Sequence, residues 1–211
     1  MNLSFKNFSI RIIGYLPYII FFYVIYTIEI FRELLLYNGL LQLLLFLIVA
    51  CIPAYLTKRM SYVDIAWPWG LVLIGALVLL LGDGYKPRIF LISGMYLFSG
   101  LRMGIGALIL FKKGHLDSEL SRYTYQRRRW EKAGYKNLDI SLQYEIMIQC
   151  FANITFLALP AILMAQNTAT SISVIEIIGA SLWAVCFVLE HVSDMQKQQF
   201  LKKSFLEKKK K

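Results

Sequence analysis

Charge is scarce in this 211-residue chain: only 17% of the residues are Asp, Glu, Lys or Arg, and Asp and Glu together number 13. With 58% hydrophobic residues and a mean hydropathy of +0.56, too little polar material remains to cover a water-soluble domain. Cysteine is scarce as well. Cys51, Cys150 and Cys186 fall singly inside apolar runs, which excludes a disulfide framework and a cysteine-rich zinc site and leaves small packing thiols. The two histidines, His115 and His191, are isolated, and no bound metal is expected. There is no Ser-His-Asp set and no phosphate loop, and Gly104-x-Gly106 follows no strand and lacks the rest of a dinucleotide fingerprint.

What the chain does have is long apolar runs. A helix that crosses a hydrocarbon core of about 30 Å needs roughly 20 mostly apolar residues. Six stretches qualify, near residues 11–29, 35–56, 64–81, 88–111, 143–165 and 172–193. The first is too long for a secretory signal and has no small-residue cleavage site after it, so it reads as a retained span. The expected fold is an all-α, polytopic bundle of about six transmembrane helices forming a single domain, 1–211. The intervening polar segment 112–142 has room for one surface helix at most.

Orientation follows from Lys and Arg, which favour the cytoplasmic side of short loops. With the N-terminus inside, all of the 23 Lys and Arg except Arg32, Lys86, Arg88 and Arg102 fall on the cytoplasmic side. Both termini are therefore expected in the cytoplasm. The formal net charge of +10 is accounted for by topology and anionic lipid, without a nucleic-acid partner.

Ionisable groups within spans are costly and ask for a partner or a task. Arg102 lies deep in the fourth run, either snorkelling towards the cytoplasmic face or lining a polar site. Gly100 and Gly104 share the opposite face and suit close helix packing. Asp64 begins the third run, three residues before Trp67 and four before Pro68, which cannot donate to the Asp64 carbonyl. It serves either as a helix cap or in the wall of a polar pocket. Near the end of the sixth run Glu190, Asp194 and Lys197 recur at helical spacing. The segment Ser121-Arg-Tyr-Thr-Tyr-Gln-Arg-Arg-Arg-Trp130 offers guanidinium forks beside aromatic rings, for phosphate or for a lipid surface. Together these groups suggest a polar cavity open to the cytoplasm, lined by Asp64, Arg102, Glu190 and Asp194.

The landmarks, in order, resemble those of membrane reductases related to steroid 5-alpha-reductase, in the bacterial branch known as DUF1295. The similarity runs from about Ser61 to Phe200. Its marks are Ser61, Val63, Asp64 and Trp67, then Leu101-Arg102-x-Gly104, then Asp117 and Glu119 leading to Arg122, Tyr123, Arg127 and Trp130. Gln149 and Pro160 follow, and Glu190, Asp194, Gln196, Lys197 and Phe200 close the series.

The resemblance implies a helical bundle that holds NADPH and delivers hydride to a carbon-carbon double bond conjugated to a carbonyl, in an apolar small-molecule substrate such as a lipid or steroid. It places Arg102 and Arg122 at the cofactor phosphates, Glu190 and Asp194 at its nicotinamide or ribose part, Tyr123 and Arg127 among the other residues that bind the cofactor, and Asp64 as the acid that polarises the substrate carbonyl. The chain departs from the family at Ser99, where Trp is common, and at Lys112 and Lys113, where Arg is usual. It also ends without the Gly-Leu-Trp and Arg-His-Pro-Asn-Tyr region. The expectation is a C-terminally truncated member, impaired unless a separate C-terminal fragment completes it. A non-catalytic membrane remnant and a methyltransferase like the isoprenylcysteine carboxyl methyltransferases are the competing expectations.

Overall fold

The computed structural model describes residues 3–135 and 137–209, with side-chain surroundings for 9–135, 137–197, 199 and 200. Lys136, Lys210 and Lys211, counted above among the cytoplasmic cations, lie outside the described residues, and the side chains of Lys6, Lys202, Lys203, Lys208 and Lys209 lie outside the described side chains. Among the described residues there is no strand. The helices are α1 (Leu3–Tyr26), α2 (Glu29–Phe46), α3 (Ile52–Thr57), α4 (Val63–Leu81), α5 (Lys86–Lys112), α6 (Ser121–Lys132), α7 (Leu138–Ile154), α8 (Leu159–Ala165) and α9 (Val174–Lys209). Six segments among the described residues are long and apolar enough to cross a membrane: Ser9–Tyr26, Glu29–Thr57, Val63–Leu81, Lys86–Lys112, Leu138–Ala165 and Val174–Lys197. Large apolar side chains such as Ile48, Leu56, Leu80 and Phe90 stand exposed along them, as lipid-facing positions require. The protein is an integral membrane helical bundle.

Two of the spans are composite. The second joins α2 to α3 through a π-helical turn, Leu47–Cys51, just before Pro53, whose ring nitrogen has no hydrogen to donate. Gln143 Nε2 donates to the Cys51 carbonyl at 3.0 Å, supplying from α7 a partner for this irregular turn. The span ends where Lys58 takes the left-handed conformation (φ 59°). The fifth span breaks between α7 and α8, where Thr155 turns its hydroxyl back onto the Phe151 carbonyl at 2.7 Å.

The chain divides into two compact units, Met1–Ala169 and Thr170–Lys211. In the first, α4 and α5 pack most extensively against each other. A Cβ on Gly100 would come within 2.8 Å of the Pro68 carbonyl oxygen, and one on Gly104 within 2.9 Å of the Trp69 indole. These two glycines set the approach of the helices, as the sequence suggested, whereas Gly106 meets nothing within 4 Å. The second unit is built on α9.

Three amides tie α2, α4 and α7 together inside the first unit. Gln42 Nε2 donates to the Gly70 carbonyl at 2.8 Å and to Asn38 Oδ1 at 3.2 Å. Asn38 Nδ2 donates to the Ile154 carbonyl at 3.2 Å, and Asn153 Nδ2 to the Trp67 carbonyl at 3.2 Å. All three side chains are buried. Gly70 makes room for them, since a Cβ there would stand 2.1 Å from Asn153 Nδ2. In an apolar medium such bonds fix which helix faces meet, because the alternative is an unsatisfied amide.

The two ends of this unit differ in charge. At one end Arg11 lies over the rings of Tyr135 and Tyr144 and donates to Ser141 Oγ, and Lys58 pairs with Asp139 at 2.8 Å. Lys112 at the end of α5 and the arginines of α6 belong to the same end. At the other end the α4–α5 connection binds the chain after α8, with Gly84 N–H donating to the Ala165 carbonyl at 2.8 Å. There Arg88, the first residue of the fourth apolar run and expected on the side away from the cytoplasm, is 1% exposed. Its Nη1 donates to the carbonyls of Asn167 at 3.0 Å and Ala169 at 2.8 Å. Arg88→Met keeps an unbranched apolar stem and removes these donors, so the expected cost is about 2 kcal/mol. Thermal unfolding in detergent measures it, and an unchanged transition would mean that the two carbonyls do not depend on Arg88.

Candidate functional site

The segment that enters α4 carries Met60, Ser61 and Asp64. Asp64 lies in the first turn of the helix, but Tyr62 is the N-cap and no side chain caps it. The carboxylate instead reaches out to α6: Tyr123 Oη donates to Asp64 Oδ1 at 2.5 Å, and Arg122 forms an ion pair with Oδ2. The Arg122 guanidinium also lies 4.8 Å from the Tyr123 ring centroid.

A second carboxylate completes the attachment of α6. Glu119 Oε2 accepts from the Met60 N–H at 2.8 Å and Oε1 from Ser61 Oγ at 2.6 Å, while Arg127 Nη2 approaches Oε2 at 3.1 Å. Ser61, fully buried, accepts in turn from the Leu120 N–H at 3.3 Å. Arg127 also donates to the Lys58 carbonyl, which the left-handed turn at Lys58 presents. Its Nε is buried without a hydrogen-bond partner.

The apolar side of α6 explains why the helix lies here. Tyr123 and Trp130, seven residues apart, are buried in a cluster with Met60, Val63, Ile146 and Cys150, so one stripe of α6 belongs to the core. Burial, then the charge of Asp64 and the hydrogen bond to it, push the Tyr123 hydroxyl well above the ordinary phenol range, and it stays a protonated donor at physiological pH. For Arg122, partial burial acts against the charged form, but the hydrogen bond and charge of Asp64 outweigh it and the guanidinium is pushed up. The side chain of Arg122 is 62% exposed, leaving its remaining N–H groups accessible.

Beside this polar cluster runs an apolar groove of about 630 Å³. Leu45, Val49, Pro53, Tyr62, Trp69 and Phe111 are among its walls. Val49 lies in the π-helical turn, so the irregular part of the second span forms one wall. The groove reaches Tyr62 and Phe111, whose ring centroids are 6.4 Å apart, and Tyr62 is two residues before Asp64.

Four of the residues singled out from sequence are thus brought together: Asp64, Arg122, Tyr123 and, through Glu119, Arg127. Arg102 is half-buried on α5, on the helical face opposite Gly100 and Gly104, and those glycines face α4. Glu190 and Asp194 stand one turn apart on α9, in the second unit. Glu119 and Ser61, which the sequence marked only as family positions, hold the cluster together. The amides Asn38, Gln42 and Asn153 were not anticipated at all. Their signal was available, because carboxamides inside apolar runs are themselves unusual.

The family model described as "Protein of unknown function (DUF1295)" matches residues 45–211, a stretch that includes the whole of this cluster. No curated protein and no solved structure matches the chain.

Proposed function

Because the chain belongs to the DUF1295 family, and its family-marked residues Asp64, Arg122, Tyr123 and Arg127 meet beside an apolar groove, we propose that it is a membrane-embedded, NADPH-dependent reductase. Its substrate is the double bond of an enone lipid or steroid-like molecule, and the basic end of the bundle faces the cytoplasm of a bacterial cell. The observation that carries the reading is the juxtaposition of a charged cluster, rich in hydrogen-bond donors, with a groove lined by hydrocarbon and aromatic side chains. Such a pairing suits a substrate with an apolar body and one polar end.

NADPH, when bound, supplies hydride. The exposed N–H groups of Arg122 fit the acceptor oxygens of a phosphate, with a planar fork suited to such oxygens. The groove excludes water from the apolar body of the substrate. A carbonyl arriving at the Tyr62 end would be polarised by the Tyr123 hydroxyl turned from Asp64 towards it, with the Asp64 carboxylate, which accepts from Tyr123 and pairs with Arg122, positioning that donor where negative charge develops. The roles that the resemblance gives to Arg102, Glu190 and Asp194 are part of the same proposal and are tested one substitution at a time.

Titrating the purified protein in detergent with NADPH is the direct test. Saturable binding with a Kd below about 100 µM is expected. Arg122→Gln should weaken it about tenfold to a hundredfold, the value of one charge-assisted bond. Asp64→Asn should retain binding and lose turnover of an enone lipid. A folded protein that binds no NADPH overturns the reading, and retention of S-adenosylmethionine in its place would make the chain a methyltransferase.

A further inference from the structure

The arginines of α6 fall into two sets. Arg122 and Arg127 are engaged by Asp64 and Glu119. Arg128 and Arg129 point away from the core, and with Tyr125 and Lys132 they recur at i, i+3, i+4 and i+7, forming one exposed stripe opposite Tyr123 and Trp130. No ion pair within 4.0 Å engages this stripe among the described residues; Arg129 donates to Gln126 Oε1 at 3.4 Å, and its charge also acts on the Glu145 carboxylate of α7, beyond ion-pair contact. Tyr125, in its midst, is 65% exposed.

The place of the helix defines what such a stripe meets. α6 lies in the connection between α5, which ends at Lys112, and α7, which begins at Leu138. It is held by Glu119 to Met60 and Ser61 at the start of α4. It therefore sits at the level where membrane-spanning segments leave the hydrocarbon, and Lys112 and Lys113 are exposed at the same end. A rigidly held helix at that depth, presenting three cations and an amphipathic ring, complements a surface of anionic headgroups.

We propose that the Tyr125–Arg128–Arg129–Lys132 face of α6 is a docking surface for anionic phospholipid, with headgroup phosphates against the guanidinium groups and the Tyr125 ring at the headgroup boundary. It stands independently of the reductase reading and does not use the groove or the Asp64 cluster.

The test uses the full chain in nanodiscs and measures the association of spin-labelled phosphatidylglycerol relative to phosphatidylcholine, without nucleotide. Wild-type protein should prefer phosphatidylglycerol about tenfold, given the pull of several cations close to a membrane surface. The preference should vanish in roughly 1 M salt, where screening acts within ~3 Å. Replacing Arg128, Arg129 and Lys132 together by Gln should bring it close to parity, whereas Arg128→Lys with Arg129→Lys should keep most of it. The altered side chains are exposed, so gel filtration and thermal unfolding of the triple variant should match wild type. A triple variant that folds and retains the full preference overturns the proposal. So does displacement of the lipid by NADPH, which would assign the stripe to a nucleotide. Failure of NADPH binding alone leaves the lipid preference in place, so the two readings fail separately.

Discussion

Glu119→Ala should release α6 from the bundle. The carboxylate accepts from the Met60 N–H and the Ser61 hydroxyl and faces the Arg127 guanidinium, and its side chain is only 14% exposed. Alanine leaves three donors without their acceptor, one of them charged, in a place where water enters poorly. Removing one member of a buried pair costs about 3–5 kcal/mol, chiefly because the other member is stranded. The expected result is a loss of that order in detergent unfolding, with new protease cleavage in the segments that flank α6. Glu119→Gln should fall between, since an amide oxygen can serve one of the donors while its NH2 opposes another. Tyr123 and Trp130 would still favour burial, so partial release would be seen first as exposure of Trp130. If Glu119→Ala unfolds like wild type and is cleaved no faster, the carboxylate is not what secures α6.

How much of this was legible in the sequence depends on the range of the interaction. The spans were legible because hydropathy is a property of each segment, and all six lie close to the expected positions. Gly100 and Gly104 were legible because two small residues one turn apart have one common use in a membrane helix. Asp64 was recognisable as a residue in need of a partner, but that partner lies on α6, 58 residues further along, and no local pattern names it. The same holds for Arg88, whose role depends on carbonyls of Asn167 and Ala169. The amides were missed for a different reason. A search for charges within spans passes over Asn38, Gln42 and Asn153, although an unsatisfied amide in hydrocarbon is also costly. The π-helical turn at Leu47–Cys51 left a trace only in Pro53, which also fits an ordinary helix start.

Gly100→Val tests the packing on which the groove and the amide ties depend, and it should be the most damaging single change in the apolar part of the first unit. Even one added carbon would stand 2.8 Å from both the Pro68 carbonyl oxygen and the Val72 nitrogen, and 2.7 Å from Val72 Cγ2. Two of these atoms are backbone, so no rotamer change relieves the contact; α4 and α5 must separate. Overpacking ordinarily costs about 1–3 kcal/mol, and with backbone on both sides the expected loss is at or above about 3 kcal/mol. Separation would move Trp67 and Gly70, whose carbonyls accept from Asn153 and Gln42, and would move Trp69 and Val72 in the wall of the groove. Stability and ligand capacity should therefore fall together. Gly106 supplies the control, because a Cβ there meets nothing within 4 Å. Gly106→Ala should be neutral or stabilising by up to about 1 kcal/mol through the better helix propensity of alanine. Equal effects at the two positions, in thermal unfolding of the purified variants, would contradict a close contact at Gly100.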